Sequence, residues 1–267
     1  GSQNVLARFG DAGKVAAECD VTVAVLGINK SIEREGQDRF SLELPVDQQE
    51  FIKELYKVNP NTVVVLVAGS SMAVNWMDEN VPAILNAWYP GEQGGNAVAE
   101  VLFGDYNPGG RLPLTYYNSL DEIPAFDNYS VKGRTYQYFE GQPLYEFGYG
   151  LSYTKFRYKS KGVNVEQDTV KVSFEVSNTG KYDGDEVTQV YVKYPETGTY
   201  MPLKQLHGFK RVHIKKGKTS KVTIGVPKKD LRYWDEQERK FVTPKGEYTF
   251  MVGASSEDIK FRETVGL

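Results

Sequence analysis

The hydrophobic pattern of this chain changes between its first and second halves. Up to about residue 102, continuous apolar runs alternate with segments of helical spacing, whereas from Asn164 onward apolar and polar residues alternate one by one. Continuous runs are typical of parallel strands covered on both faces, and alternation is typical of antiparallel strands with one face in a core. The sequence therefore predicts an α/β unit followed by an all-β unit.

The first half repeats a strand–loop–helix unit. Apolar runs at 21–26, 62–68 and 81–88 predict three buried strands, and residues 46–58 and 94–102 carry apolar side chains at helical spacing. This order predicts a flavodoxin-like α/β sandwich with a largely parallel sheet and right-handed crossovers. Each strand would deliver a glycine-bearing loop to the same edge of the sheet.

The second half carries short strands separated by turns. Val170, Val172, Phe174 and Val176 alternate with polar residues, and further short segments follow up to residue 252. About seven short strands in about 100 residues are typical of an immunoglobulin-like or fibronectin type III-like sandwich. We expect no helix between residues 165 and 265 beyond a short turn at 228–234.

Between the two halves lies a segment without regular periodicity. It is rich in glycine, proline and tyrosine, which predicts an ordered but irregular connector, since disordered linkers are poor in aromatic residues. The expected boundaries are 12–115 for the α/β domain, 116–159 for the connector and 160–267 for the sandwich.

The aromatic rings of the connector could stack on sugars, but packing between the two domains is their favoured role. These rings are Tyr136, Tyr138, Phe139, Tyr145, Phe147, Tyr149 and Tyr153.

Composition excludes several classes of function. A net charge of −3 with interleaved acids and bases argues against nucleic acid and anionic membranes as partners. A single cysteine, Cys19, excludes an internal disulfide, and with only His207 and His213 the chain lacks the ligands of an ordinary zinc site. We expect no metal and no cofactor, a buried Cys19, and no membrane-spanning segment.

The loop after the first strand carries the residues best suited to catalysis. Glu33, Glu35, Asp38 and Arg39 lie between the apolar run that ends at Leu26 and the next helix. Ligands of open α/β sheets bind beyond the carboxyl ends of the strands, and paired carboxylates there suit acid/base chemistry. The alternative is a solvated charged turn.

Several long motifs together resemble the C-terminal part of glycoside hydrolase family 3. The resemblance covers roughly residues 14 to 267. The motifs of the first part and the connector are Ile32-Glu-Arg-Glu-Gly-Gln-Asp-Arg39, Tyr89-Pro-Gly-Glu-Gln-Gly-Gly95, Val101-Leu-Phe-Gly-Asp-Tyr-Asn-Pro-Gly-Gly-Arg-Leu-Pro113, Gly133-Arg-Thr-Tyr-Gln-Tyr-Phe139 and Pro143-Leu-Tyr-Glu-Phe-Gly-Tyr-Gly-Leu-Ser-Tyr153. Those of the sandwich are Asn178-Thr-Gly-Lys-Tyr-Asp-Gly-Asp-Glu-Val187 and Leu206-His-Gly-Phe-Lys-Arg-Val212.

The resemblance implies a retaining, exo-acting β-glycosidase. Enzymes of this family usually begin with a (β/α)₈ barrel that carries the nucleophilic aspartate, and nothing of that kind precedes Gly1. We therefore expect the C-terminal portion of an enzyme whose barrel, the missing N-terminal partner domain, lies outside this chain, and we expect the portion alone to be inactive. Gly1-Ser2 without an initiator methionine resembles the remnant of a cleaved tag, so the absence of a signal peptide is uninformative. We expect a periplasmic or secreted protein.

The resemblance also implies that the loop at 30–39 supplies the catalytic acid/base. Glu35 is the favoured residue because it precedes Gly36 and its spacing to Asp38-Arg39 matches some family members, whereas other members have their acid at a position that suits Glu33. Asp38 and Arg39 would pair with each other or brace the loop. The loop has almost no apolar anchor, so we expect it to be mobile in the isolated chain.

The substrate is less well defined by the sequence. Local likeness around 32–39 and 124–139 favours β-xylosidases over β-glucosidases, so the expected substrates are xylo- or gluco-oligosaccharides and aryl or alkyl glycosides. The alternatives are a β-glucosidase of the same family and a non-catalytic carbohydrate-binding or structural module. A flavodoxin-like binder of nucleotides or phosphate is disfavoured by the acidic first loop.

Overall fold

A computed structural model describes residues 10–267. The chain forms two compact units. The first contains the residues up to Leu102 together with Tyr116–Ile123, and the second contains Phe103–Thr115 together with Pro124–Leu267. The fold class predicted from the sequence, an α/β unit followed by antiparallel sheets, is confirmed.

The first unit contains a parallel sheet of three strands in the order β1-β2-β3. The strands are β1 (Thr22–Gly27), β2 (Thr62–Val67) and β3 (Ala83–Asn86), and the helices are α1 (Ala12–Ala17), α2 (Val46–Val58), α3 (Asn75–Asn80) and α4 (Gly94–Phe103). Helix α2 has the predicted bounds because Pro45 occupies its N-cap and Asn59 ends it in an extended conformation. The short helices α1 and α3 were not predicted.

Strand β1 was predicted to be buried on both faces. For the described part of the chain this prediction is wrong. Ala24 and Leu26 are buried, whereas Val23 and Val25 are 46% and 65% exposed. The strand is parallel, as predicted, but it lies at the edge of the described sheet, and only one of its faces is covered there.

Cys19 also differs from its prediction. It is exposed rather than buried. The residue follows the end of helix α1 and lies in the turn before β1, where its side chain is not part of the alternating strand pattern. The prediction of a buried small hydrophobic residue before the first apolar strand was wrong.

The second unit is built on two antiparallel sheets and a small hairpin. One sheet has the strand order β12-β11-β6-β7 and the other has the order β4-β5-β8. The strands are β4 (Phe156–Val165), β5 (Thr169–Asn178), β6 (Gly184–Lys193), β7 (Gln205–Ile214), β8 (Thr219–Pro227), β11 (Glu247–Gly253) and β12 (Ile259–Gly266), and the hairpin consists of β9 (Tyr233–Asp235) and β10 (Lys240–Val242). Within the described chain, the only helical turn between residues 165 and 265 is a 3₁₀ turn at Lys228–Leu231, as the alternation predicts.

The core of this unit follows the period-two pattern. Val170, Val172, Phe174 and Val176 are each at most 1% exposed, and Tyr248 from β11 is fully buried. Alternate residues of strands from both sheets contribute to one apolar cluster. The pattern read from the sequence therefore identifies the inward-facing residues correctly.

The irregular segment that precedes β4 is attached to this sandwich by aromatic and polar contacts. Within it lies the short helix α5 (Thr135–Tyr138). The ring of Tyr136 stacks on Phe147 at 4.2 Å between centroids, and the Tyr136 hydroxyl accepts a hydrogen bond from the Leu206 backbone N–H at 3.0 Å. These contacts hold α5 against β7.

A buried ion pair adds to this attachment. Arg111 Nη2 lies 2.8 Å from Glu186 Oε2, and the two side chains are only 9% and 3% exposed. The Tyr158 hydroxyl donates to the other carboxylate oxygen at 2.6 Å. Burial raises the pKa of Glu186, although Arg111 and Tyr158 act in the opposite direction. The segment around Arg111 is thus fixed to strands β4 and β6.

No helix among residues 10–267 is long and apolar enough to cross a membrane.

Candidate active site

The loops that follow the three parallel strands meet at one edge of the sheet. The Tyr89 hydroxyl, after β3, donates to the carbonyl of Ile28, after β1, at 3.4 Å. Gly69, after β2, lies under the Tyr89 ring so closely that a β-carbon would be 2.4 Å from it. A side chain there would displace the Tyr89 ring, so this close approach favours the glycine at the end of the second apolar run. The shared edge predicted from the strand order is present.

The loop after β1 has a defined backbone conformation. The Asn29 carbonyl accepts hydrogen bonds from the N–H groups of Ile32 and Glu33 at 2.9 and 3.1 Å. Further along, Arg34 and Gln37 exchange two backbone hydrogen bonds of 2.9 and 3.2 Å. These bonds close a four-residue turn with Glu35 and Gly36 at its tip.

Gly36 makes this turn possible. Its φ angle is +73°, in the left-handed region that favours glycine. Glu35 is therefore held immediately before a glycine at the outermost point of the loop, and its side chain is exposed. Within residues 10–267 it forms no hydrogen bond or ion pair.

Glu33 lies at the base of the turn and is bound by two partners. Arg39 Nε lies 2.8 Å from Glu33 Oε2, and the Ser70 hydroxyl donates to the same oxygen. Ser70 in turn accepts a hydrogen bond from Arg39 Nη2 at 2.9 Å. The three side chains form a closed triangle that joins the loop after β1 to the loop after β2.

Arg39 is more buried than Glu33, with 9% of its side chain exposed against 23%. It also donates to the Ser71 carbonyl at 2.8 Å and contacts Met72 Sδ at 3.1 Å. Asp38 is exposed, and its carboxylate makes no hydrogen bond or ion pair with any residue that the structure describes. The guanidinium therefore pairs with Glu33 and not with its neighbour Asp38.

The start of the loop is fixed by helix α2. The Gln48 side-chain amide accepts from the Gly27 N–H and donates to the Gly27 carbonyl, both at 2.8 Å. This reciprocal pair of hydrogen bonds satisfies both the backbone N–H and the carbonyl of Gly27, the last residue of β1. The loop therefore begins and ends at fixed points, Gly27 and Arg39.

The sequence comparison now identifies the family. Residues 5–153, more than half of the chain, match the description "Glycosyl hydrolase family 3 C-terminal domain", and residues 186–256 match "Fibronectin type III-like domain". The chain belongs to glycoside hydrolase family 3.

Individual family 3 proteins show the same similarity. The chain is 43% identical over 84% of its length to a xylan 1,4-beta-xylosidase of Xylanibacter ruminicola, covering 26% of that protein. It is 34% identical over 95% of its length to a periplasmic beta-glucosidase of Salmonella typhimurium, covering 35% of it. The crystal structure of a beta-glucosidase from Kluyveromyces marxianus in complex with glucose superposes with a TM-score of 0.89 at 36% identity, covering 96% of this chain and 33% of that one.

The chain thus spans about a quarter to a third of the length of the family 3 proteins that it matches. Its resemblance to the family and its membership among glycoside hydrolases are confirmed. The assignment of catalytic roles to Glu33, Glu35, Asp38 and Arg39 stays a prediction.

The geometry of this family 3 chain assigns different environments to the two glutamates. Glu33 has a fixed position in the triangle with Arg39 and Ser70, whereas Glu35 is presented to solvent. A general acid must approach the leaving-group oxygen of a substrate, which an exposed tip allows. Of the two glutamates, Glu35 is the one with an exposed side chain.

Sequence reasoning missed Ser70 and Met72 as parts of this site. The signal available was the Gly69-Ser70-Ser71 segment at the carboxyl end of the second apolar run, where ligands of such sheets bind. No cluster of three or more residues able to ligate a metal ion occurs within residues 10–267.

Proposed function

We propose that this chain supplies the acid/base loop of a retaining, exo-acting β-glycosidase, with Glu35 as the catalytic acid/base. The observation that carries the proposal is the position of Glu35 at the exposed tip of a turn whose base is fixed by Arg39. The nucleophilic carboxylate belongs to a barrel segment of the same enzyme outside these residues. Retaining glycosidases need the two carboxyl groups about 5 Å apart.

In this mechanism Glu35 acts twice. It first donates a proton to the glycosidic oxygen as the nucleophile attacks the anomeric carbon, and then it removes a proton from the water that hydrolyses the glycosyl-enzyme. Glu33, Arg39 and Ser70 position the turn and do not touch the reacting atoms. Asp38 lies beside the turn, and its role is to support the loop.

Glu33 is the alternative acid/base. It would have to leave its ion pair with Arg39 to reach a substrate, and the energy of that separation would raise the barrier. The bound position of Glu33 therefore favours Glu35.

The substrate we propose is a terminal β-linked xylose. The 43% identity to a xylan 1,4-beta-xylosidase supports this choice over glucose, and the beta-glucosidases among the relatives make β-glucosides the alternative. The ratio of kcat/KM for aryl β-xyloside and aryl β-glucoside, measured with the complete enzyme, discriminates the two. A ratio above one supports the xylosidase, and a ratio below one supports the glucosidase.

We propose a periplasmic or secreted location. The support is the periplasmic beta-glucosidase among the relatives. Fractionation of cells that express the complete gene tests it, with activity expected outside the cytoplasm.

The acid/base assignment can be tested by the pH profile of kcat/KM. Loss of rate at alkaline pH reports deprotonation of the general acid. In the complete enzyme, Glu35→Gln should remove this alkaline limb, whereas Glu92→Gln, at an exposed glutamate in the loop after β3, should keep it. An alkaline limb that is lost only in Glu33→Gln would assign the role to Glu33.

A further inference from the structure

Two hollows in the second unit are lined in part by residues of helix α5. One has a volume of about 390 Å³ and is lined by Thr115, Tyr129 and Phe147, among others. The other has a volume of about 250 Å³ and is lined by Tyr200, Trp234 and other residues. Gln137 and Tyr138 line both hollows, and the two hollows together are called the groove along α5.

Aromatic rings form much of the wall of this groove. Tyr138 stacks on Tyr200 with centroids 5.3 Å apart and planes at 19°. Lys132 Nζ lies 4.6 Å from the centre of the Tyr200 ring, so this ring is held in place by its neighbours. The wall is therefore formed before any ligand arrives.

Trp234 is the ring best placed to stack on a ligand. It is 50% exposed although it lines the groove. In the β9–β10 hairpin it pairs with Phe241, whose ring lies at 5.3 Å and 73° to the indole. The hairpin fixes the indole and leaves half of its surface to solvent, as a stacking platform requires.

The uncharged polar side chains of the groove carry amides and hydroxyls. Gln205 Oε1 accepts a hydrogen bond from the Tyr194 hydroxyl at 3.0 Å, and its side-chain nitrogen has no partner among residues 10–267. Such groups suit a ligand rich in hydroxyls, since each can donate to or accept from one.

An unsatisfied hydroxyl is the second and independent sign of a ligand. Thr115 is 8% exposed and lines the larger hollow, and its Oγ1 atom is buried without a hydrogen-bond partner within the described residues. Buried hydroxyls are rarely left unpaired in folded proteins. The atom has no surface open to the hollow in the free protein, so the side chain would rotate about χ1 to pair with a ligand hydroxyl in the groove.

The charge and the volume of the groove restrict the class of ligand further. Three basic side chains line or adjoin the groove, Lys132, Arg134 and Arg232. They are matched in number by Asp230, Asp235 and Glu238, which act on Tyr194 or Tyr233 at the smaller hollow. This balance favours a neutral ligand over a phosphate or a polycation. The larger hollow, of about 390 Å³, lies near the lower end of the roughly 300–1,000 Å³ typical of small-molecule sites, and the smaller one, of about 250 Å³, lies just below that range. These sizes suit a few linked sugar rings.

We propose that this groove binds a neutral β-linked oligosaccharide, with Trp234 as the stacking platform and with Gln205 and Thr115 bonding to sugar hydroxyls. The apolar C–H face of a β-linked pyranose lies on the indole, while its equatorial hydroxyls point to the amides at the side. The groove shares no residue with the Glu35 loop, and the proposal does not depend on the acid/base assignment. It would hold a chain of sugars without cleaving it.

The test uses the 267-residue chain with xylohexaose and cellohexaose, each titrated by calorimetry and by tryptophan fluorescence. We expect binding of at least one oligosaccharide, and Trp234→Ala should weaken it about fivefold to tenfold through loss of the stacking contact. Trp234→Phe should retain more of the affinity than Trp234→Ala. The matched control is Phe209→Ala, which removes a 68% exposed ring outside the groove and should leave the affinity unchanged.

Thr115→Val separates ligand binding from folding. In the free protein it removes only an unpaired hydroxyl, so thermal stability should be equal or higher, whereas oligosaccharide affinity should fall. A purely structural threonine would show no change in affinity.

Three outcomes overturn the proposal. The first is the absence of binding for both oligosaccharides at millimolar concentration. The second is binding that Trp234→Ala and Thr115→Val leave unchanged, and the third is binding that Glu35→Gln abolishes, which would place the sugar at the loop after β1. Since Glu35→Gln should not affect the groove, failure of this proposal is distinguishable from failure of the acid/base assignment.

Discussion

Arg39 Nε lies 2.8 Å from Glu33 Oε2, and both side chains share the Ser70 hydroxyl as a third partner. The pair joins the carboxyl ends of β1 and β2 across a loop that has few apolar contacts of its own. Phe40, directly after the loop, is 99% exposed and gives it no anchor. Polar contacts to Arg39 therefore hold the loop in the position that presents Glu35.

The first prediction concerns the order of this loop. Arg39→Met should increase hydrogen exchange at the amides of Ile32, Glu33 and Gln37, because the side chain that joins the two strand ends is gone. Arg34→Met removes an exposed arginine of the same loop and is the control. Equal exchange in the two variants would contradict the role of Arg39.

Exchange in the unaltered chain also tests the expected mobility of residues 30–39. We expect these amides to exchange faster than those of helix α2, because little apolar burial offsets the backbone entropy of about 1–2 kcal/mol per residue. Protection equal to that of α2 would show that the polar triangle is sufficient to order the loop.

The second prediction is that the 267-residue chain alone hydrolyses no aryl β-xyloside or aryl β-glucoside at a measurable rate. One carboxyl group of the pair is insufficient for a covalent intermediate followed by its hydrolysis. Release of the aryl group is followed by absorbance, with heat-treated protein as the blank. Turnover that Glu35→Ala abolishes would show that a complete site lies within these residues.

The third prediction concerns the buried ion pair of the second unit. Arg111→Met should lower the free energy of unfolding by about 3–5 kcal/mol, because it leaves the Glu186 carboxylate buried without its cation. Adding Glu186→Gln should restore part of this loss. Lys161→Met breaks the more exposed pair with Glu175 and should cost less than about 1 kcal/mol. Equal costs in the two single variants, measured by urea unfolding, would contradict this account.

The fourth prediction concerns pH. Burial lowers the pKa of His207, whose Nε2 lies 2.8 Å from the Tyr194 hydroxyl. Below the ordinary pKa of 6.5, the unfolded chain binds a proton that the folded chain does not, so stability falls as the pH is lowered from 7 towards 5. His207→Gln keeps a polar partner for Tyr194 and should show a smaller decrease in the free energy of unfolding over this range. An equal decrease would mean that other groups account for it.

Local sequence signals predicted most of the fold. Helix α2 has the predicted bounds because Pro45 and Asn59 mark its ends, and Val170 to Val176 alternate as an antiparallel strand requires. Strand β1 was predicted less well, because the exposure of Val23 and Val25 depends on what packs beside the strand. A continuous apolar run does not reveal whether both faces are covered.

The site could be predicted only in part. The loop and its two glutamates were identified, but the sequence left open whether Asp38 and Arg39 pair with each other or brace the loop. In the structure Arg39 binds Glu33 and Ser70. Neighbouring residues in an extended segment point to opposite sides, so a partner 31 residues away can be closer than an adjacent one. The aromatic groove was missed for the same reason, because Tyr138, Tyr200 and Trp234 meet only in three dimensions.

The measurement that tests the central claim most directly compares leaving groups in the complete enzyme. Glu35→Ala should reduce turnover of xylobiose by roughly 10²–10⁴-fold, since this substrate needs a proton on its leaving oxygen, and much less for glycosylation by a dinitrophenyl xyloside, which does not. Azide should restore activity on the dinitrophenyl substrate and give the glycosyl azide, with Glu92→Ala as the unaffected control. If Glu35→Ala behaves like Glu92→Ala on xylobiose, or if this pattern appears in Glu33→Ala instead, the assignment of Glu35 is contradicted.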